Sequence, residues 1–278
     1  MTSTPHHSHT ADANGSFVTY AFAVCRSDHP GNLTSVHGHA EGGPLRLLAI
    51  GPLCAVVQDV PAARFSEGAL RERLGDAAEL ERCARTHHDV VTAAAASGPA
   101  VPMPLATLYF GDERARAAIG ESRERFSTAL EHITDRTEWA VKVHLTQGFT
   151  TVPESAAPGP GPRQTSGRAY LDRLRNRHRL REQHRQNALA AAEQVDIAVR
   201  ELAVGTVRRR PHGSEVTGKD RTQIMNAAYL IDKDRTQELA ATIERLRASA
   251  EFHGIEICVS GPWAPYSFTD GGDLASHP

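Results

Sequence analysis

Trp139-Ala140-Val141-Lys142-Val143-His144-Leu145 decides how this chain divides. Trp139, Val141, Val143 and Leu145 alternate with Ala140, Lys142 and His144. A period of two puts the first set on one face, so the stretch reads as a half-buried strand. Residues 148–166, just downstream, are rich in Pro, Gly, Ser and Thr and tempt one to place a linker there. A cut at that point would strip the following segment of its first strand. The boundary is therefore expected near residue 136, with 148–166 an insertion loop inside the second domain.

The pattern then continues in order. A long helix is expected from about Arg168 to Leu202, a short strand at Val204–Arg209 and a longer one at Gln223–Ile231. Asp234 is placed to N-cap a helix, with Gln237 at the third helical position, running to about Phe252. His253-Gly254 ends it, and Ile255–Ser260 is a last strand. The sequence β-α-β-β-α-β is the split βαβ order of ferredoxin-like folds. At 1.5 Å per residue the long helix spans about 50 Å, more than a small sheet covers. Its centre, Arg173 to Arg185, is basic nearly all round, so it is expected to project as an arm or helical hairpin.

Upstream, Phe17–Val24 reads as a strand with Val18, Tyr20, Phe22 and Val24 on one face. Leu45–Ile50 and Leu53–Val57 are apolar runs broken by Gly51-Pro52, suggesting strands at a turn. Asp76–Ala96 carries Leu80, Cys83, Ala84, His87, Val90, Val91 and Ala94 at helical spacing. Ser97-Gly98-Pro99 stops it. Val101–Phe110 contains Pro102 and Pro104, which limits it to an edge strand or extended loop. Asp112–Ile133 is helical by pattern, with a break at Gly120. The expected fold class is α+β. It has a disordered leader (1–16), an N-terminal α/β domain (17–135), a modified ferredoxin-like domain with a long projecting helix (136–268) and a tail (269–278).

Composition excludes several functions. With a net charge of −2, no global field attracts nucleic acid or an anionic membrane. No apolar run reaches membrane-spanning length. Met1–Asn14 is polar and His-rich, without the apolar core of a secretory signal. Cys25, Cys54, Cys83 and Cys258 form no C-x-x-C pair and read as small buried hydrophobes. Gly213-Ser214-Glu215-Val216-Thr217-Gly218-Lys219 matches most of a phosphate loop, but Asp220 stands where Ser or Thr must hold Mg²⁺. A solvated hairpin loop accounts for it better. His6-His7-Ser8-His9 lies in the leader and His37-Gly38-His39 in a loop. His87 and His88 diverge by about 100° on a helix and cannot share an ion as i, i+4 ligands do. No H-E-x-x-H or G-x-S-x-G occurs. No catalytic residue, cofactor or metal is expected. The basic helix leaves a nucleic-acid-binding or regulatory module as the alternative reading, although it lacks interleaved aromatics.

The last strand leads into Gly261-Pro262-Trp263-Ala264-Pro265-Tyr266-Ser267-Phe268. Two prolines fix φ and remove donors, so an extended, ring-bearing arm is expected to leave the strand and lie on some surface.

This ending resembles that of the gas vesicle GvpF/GvpL family, and other segments agree in order. They are Gly51–Pro61 with its terminal Val-Pro, Arg85-x-His87-x-x-Val90, Pro102-x-Pro104-Leu105-Ala106-Thr107-x-Tyr109, Glu138-Trp139-x-Val141-Lys142-Val143, Ser166-Gly167-Arg168-Ala169-Tyr170-Leu171 and Ala228-Tyr229-Leu230-Ile231. Pro104 stands where the family commonly has Arg, and Ala264 where Pro is usual. The resemblance implies a non-enzymatic accessory protein of two α/β domains. It implies binding to the small hydrophobic shell subunit GvpA, and to other accessory proteins, without nucleic acid or membrane. The expected location is the gas vesicle, reached from the cytoplasm. Trp263, Tyr266 and Phe268, with Arg168 and Tyr170, are the candidate contact residues. The three rings have a second reading, folding back to seal the sheet–helix junction of their own domain. Ser166-Gly167-Arg168 has one too: capping the long helix, with Arg168 alternatively paired to an acid.

Overall fold

The structure, a computed structural model, describes residues 17–33, 36–146, 167–211, 221–249, 252 and 254–269. The leader, the 148–166 loop, the phosphate-loop-like 213–220 segment and the 270–278 tail lie outside the described residues. The chain forms two compact units, Met1–Thr134 and Asp135–Pro278.

In the first unit, Phe17–Arg26 (β1), Arg46–Ile50 (β2), Leu53–Pro61 (β3) and Ala100–Pro102 (β4) form an antiparallel sheet ordered β2-β3-β1-β4. Leu108–Tyr109 (β5) also pairs with β1. The helices are Ala62–Phe65 (α1), Glu67–Gly75 (α2), Ala77–Ser97 (α3), Asp112–Glu121 (α4) and Arg123–Ile133 (α5). Pro102 ends a short edge strand, as a residue without an N–H must. Asp76 caps α3, its carboxylate accepting from the N–H groups of Ala78 and Glu79. The helical region from Asp112 breaks at Ser122, two residues after Gly120.

The expected first strand forms, and every residue from Val18 to Cys25 is buried. Tyr20 faces α3 through His87, and its neighbour Thr19 faces α4 by donating to Asp112 (3.2 Å). Helices therefore cover both faces. A bulge at Phe22, between the Ala21/Val57 and Ala23/Val56 pairs, resets the alternation.

In the second unit, Arg136–Thr146 (β6), Gly167–Arg200 (α6), Ala203–Arg208 (β7), Arg221–Asp232 (β8), Thr236–Ala248 (α7) and Ile255–Trp263 (β9) follow in turn. All sheet pairs are antiparallel, in the order β7-β8-β6-β9. The core lies between one sheet face and the helices. Val141, Val143, Tyr229, Ile231 and Ile257 meet Val195 and Val199 of α6 and Leu239 and Ile243 of α7.

Three expectations change. Asp234 does not cap α7; Lys233–Arg235 forms a 3₁₀ turn and the helix opens at Thr236. Arg235 sets this start by reaching back to the carbonyls of Glu201 and Leu202, each at 3.2 Å. The helix also stops at Ala248, before Phe252. Finally, β9 does not end at Ser260. It continues through Pro262 to Trp263, because β9 is an edge strand and a proline there costs no ladder bond.

Candidate functional site

The C-terminal segment is built on Glu138. After a bulge, β9 brings Trp263 opposite Glu138. Gly261 allows this crossing: its φ is +142°, and a Cβ there would meet both the Glu138 carbonyl oxygen and the Trp139 ring at 2.9 Å. Gly261→Ala is therefore expected to lower stability by about 1–3 kcal/mol. Urea unfolding of the two proteins checks this; an unchanged midpoint would show that the crossing tolerates a side chain.

Beyond Trp263 the chain turns into a short 3₁₀ element, Tyr266–Phe268. The Ser267 N–H donates to Glu138 Oε2 (2.8 Å) and its hydroxyl to Oε1 (2.6 Å). Arg209 donates to the Ser267 oxygen and lies 3.6 Å from Oε1. Glu138 is 5% exposed, so its carboxylate is acceptable in the interior only because these donors surround it. Phe268 is buried against Gly205, where a Cβ would come within 3.0 Å of the ring and 3.6 Å of Leu230 Cβ. Tyr229 and Ile231 belong to the helix-facing core, so Leu230 between them faces the other way. The segment thus folds across the sheet face away from α6 and α7. This corrects the reading that placed it at the sheet–helix junction.

The three rings divide. Phe268 is buried. Tyr266 is half-buried, and burial, reinforced by the Glu138 carboxylate, pushes its phenol pKa up. Trp263 is 41% exposed on the edge strand. Arg168 and Tyr170 fall in the first turn of α6, where the side chains lie outside the described residues. The sequence reasoning missed Glu138, Arg209 and Ser267. Glu138 and Ser267 stand in the quoted family-like segments, but nothing local pairs them.

The long helix has two regimes. Ala188, Ala191, Ala192, Val195 and Val199 are buried, whereas every described side chain from Leu171 to Asn187 is exposed, Leu171 and Leu174 included. Asp196, fully buried, accepts from the Tyr229 hydroxyl and from Arg208, both at 2.5 Å.

In the first unit a polar clamp holds the loop after β4. His87 Nε2 bonds the Met103 carbonyl at 3.0 Å, and a carbonyl only accepts, so Nε2 carries the proton. Nδ1 then accepts from the Tyr20 hydroxyl (3.0 Å), and the Tyr20 oxygen accepts from the Ala106 N–H (2.9 Å). Ala106 sits at φ +62°. His39, also buried, packs against the Tyr20, Phe22 and Phe65 rings. Tyr20 and His87 satisfy backbone and each other, which is structural chemistry. A recess of about 430 Å³ beside α1 and α2 has a charged lining, Arg64, Glu72, Arg73, Asp76 and Glu79 among it.

The sequence model described as "Gas vesicle synthesis protein GvpL/GvpF" matches residues 18–270. The chain belongs to the GvpL/GvpF family. It is 34% identical over 251 residues to gas vesicle protein L of Streptomyces sp. (strain CB03234), covering 90% of this chain and 92% of the relative. Gas vesicle protein F of the same strain is 25% identical over 259 residues, covering 91% and 99%. The crystal structure of GvpF from Anabaena sp. PCC7120 superposes with a TM-score of 0.64 at 14% identity, covering 95% of this chain and all of that one. That of GvpF from Microcystis aeruginosa gives 0.61, covering 91% and 98%. The mixed α/β architecture with two antiparallel sheets is thus that of GvpF structures. The quoted GvpL/GvpF-like segments acquire physical roles. Arg85-x-His87 and Pro102–Tyr109 meet at the Tyr20 clamp, and Glu138-Trp139 meets the terminal segment. No helix among the described residues is long and apolar enough to cross a membrane.

Proposed function

We propose that this chain is a non-enzymatic accessory of gas vesicle assembly that binds the small hydrophobic shell subunit GvpA. It acts at the vesicle after synthesis in the cytoplasm, with other accessory proteins as further partners, and its second unit is a modified ferredoxin-like domain. Trp263 carries the reading. It is an exposed indole on β9, whose outer edge has no strand partner among the described residues. A subunit that packs edge to edge aggregates when unaccompanied. A sheet edge flanked by an aromatic anchor covers such a surface transiently. In this arrangement Phe268 and Glu138 hold the edge in place and Tyr266 borders it; Arg168 and Tyr170 remain the further candidate contact residues.

Capture of GvpA by the full chain tests this. Trp263→Ala is expected to weaken capture by about 30-fold, the loss of a ~2 kcal/mol anchor, with little change in unfolding midpoint. If neither GvpA nor floating vesicles accompany the protein in a vesicle-forming host, the proposal fails. The exposed basic half of α6 supports the second reading, a nucleic-acid module. That reading requires salt-sensitive RNA or DNA binding that is lost when Arg177, Arg181 and Arg185 are reversed in charge.

A further inference from the structure

On the second sheet, three ligand-bearing side chains converge away from every group discussed so far. His144 on β6 stands directly across from Glu256 on β9, and Cys258 follows two residues later on the same side of β9. One imidazole nitrogen, one carboxylate oxygen and the Cys258 sulfur all lie within 4.8 Å of one another. Their neighbours Val143 and Ile257 enter the helix-facing core, so the three occupy the opposite face. His144 is buried, and Glu256 and Cys258 are half-buried.

We propose that His144, Glu256 and Cys258 form a binding site for a divalent cation of the zinc class. The donor set selects the metal. Thiolate with imidazole is too soft for Mg²⁺ or Ca²⁺, while one nitrogen, one oxygen and one sulfur suit Zn²⁺ and Co²⁺. Bonds of about 2.0–2.3 Å to a shared tetrahedral ion draw ligand atoms to roughly 3.3–3.8 Å of one another. The observed spacing needs only side-chain adjustments of about an ångström. Cross-strand and i, i+2 positions on paired strands fix the backbones, so closing the site costs little order. Three protein ligands leave the fourth position to water or to a further group. Gln223 on β8 is paired in register with His144 on the other flank of β6 and is buried. Lys142 stands across from Cys258. Metal binding displaces the thiol proton to solvent. A bound ion would tie edge strand β9 to β6 and stabilise the second unit by mass action. No local C-x-x-C or H-E-x-x-H spacing marks this set, because its members come from two strands more than a hundred residues apart.

The test uses the full chain with His6, His7 and His9 replaced by Ala, which removes the leader as a chelator. Titration with Co²⁺ is expected to give one ion per chain, a thiolate-to-cobalt charge-transfer band in the near ultraviolet, and displacement by Zn²⁺. Cys258→Ser should abolish the band with the metal-free unfolding midpoint unchanged. Outer-shell partners are worth about 10–100-fold in metal affinity, so loss of this direct ligand should weaken Zn²⁺ more than that. Glu256→Gln should weaken Zn²⁺ at least about tenfold. Zn²⁺ should raise the unfolding midpoint of the parent and not of Cys258→Ser. Absence of the band at saturating Co²⁺ overturns the site. So does its survival in Cys258→Ser, which would assign it to Cys25, Cys54 or Cys83, or an unchanged Zn²⁺ affinity in both variants.

Discussion

Asp196→Ala is expected to cost the second unit about 2–4 kcal/mol. Asp196 lies on the core face of α6, fully buried, with its two oxygens taken by Tyr229 and Arg208. Removing the carboxylate leaves the Tyr229 hydroxyl, itself inaccessible to water, without its acceptor. Arg208 is about half exposed and also holds Glu193 at 3.0 Å, so it recovers part of its loss in solvent. That recovery keeps the estimate below the full cost of an uncompensated buried charge. The unfolding midpoint should fall by roughly 5–15 °C. Tyr229→Phe combined with Asp196→Ala should lose less than the two single changes added together, because the orphaned hydroxyl is gone. Strict additivity, or a loss under about 0.5 kcal/mol for Asp196→Ala, would mean that apolar packing alone seats the helix.

The consequence reaches function. The exposed half of α6 ends at Asn187, directly before buried Ala188, so the Asp196 anchor two turns further on fixes the direction in which the basic arm leaves the sheet. Loosening it tests whether partner capture depends on α6 without touching a contact residue.

Regular elements were legible wherever burial is one-sided. Trp139–Leu145 alternates, Asp76 precedes an amphipathic run, and both became the expected strand and helix. The reading failed where a long-range partner decides. Asp196 stands between Val195 and Ile197 in an apolar stretch of the helix, where nothing local marks a buried acid; Tyr229 and Arg208, on two later strands, make it an anchor. Glu138 reads as the polar member of an alternating strand, yet Ser267, its partner, is 129 residues away. Asp234 and Gln237 satisfy a local capping pattern, but Arg235 gains two carbonyl partners by starting the helix later. Pro262 looks like a terminator until the strand is known to be an edge. Local pattern specifies existence and type of an element. Polar burial depends on which strands become neighbours, and that information is distributed.

Acidification should destabilise the first unit before its carboxylates titrate. His39 and His87 are both buried, and burial lowers each pKa from 6.5 to about 4. The charged Arg73 adds to the depression at His39. At His87 the bond to the Met103 carbonyl opposes it, and the nearby His88 adds slightly to it. In the unfolded chain both rings take up protons near pH 6.5, while the folded unit holds them neutral. Between about pH 6.5 and 4 the unfolded state therefore binds more protons, and stability falls as pH falls. A shift of this size is worth about 3 kcal/mol per ring, and two protons give a slope of up to about 2.7 kcal/mol per pH unit. By pH 5 this removes about 4 kcal/mol of the roughly 5–15 kcal/mol that a domain has in all, so the unit is expected to be strongly weakened there. Urea unfolding at pH 7.5, 6.5, 5.5 and 5 checks the slope. His39→Phe supplies the control: its Nε2 has no hydrogen-bond partner among the described residues, and a phenyl ring suits the cluster of Tyr20, Phe22 and Phe65. That variant should roughly halve the slope while keeping stability at pH 7.5, whereas His87→Phe should lose stability at every pH because it breaks the bonds to Tyr20 and Met103. A pH-independent midpoint between 7.5 and 5 would show that the two rings already bind protons in the folded unit.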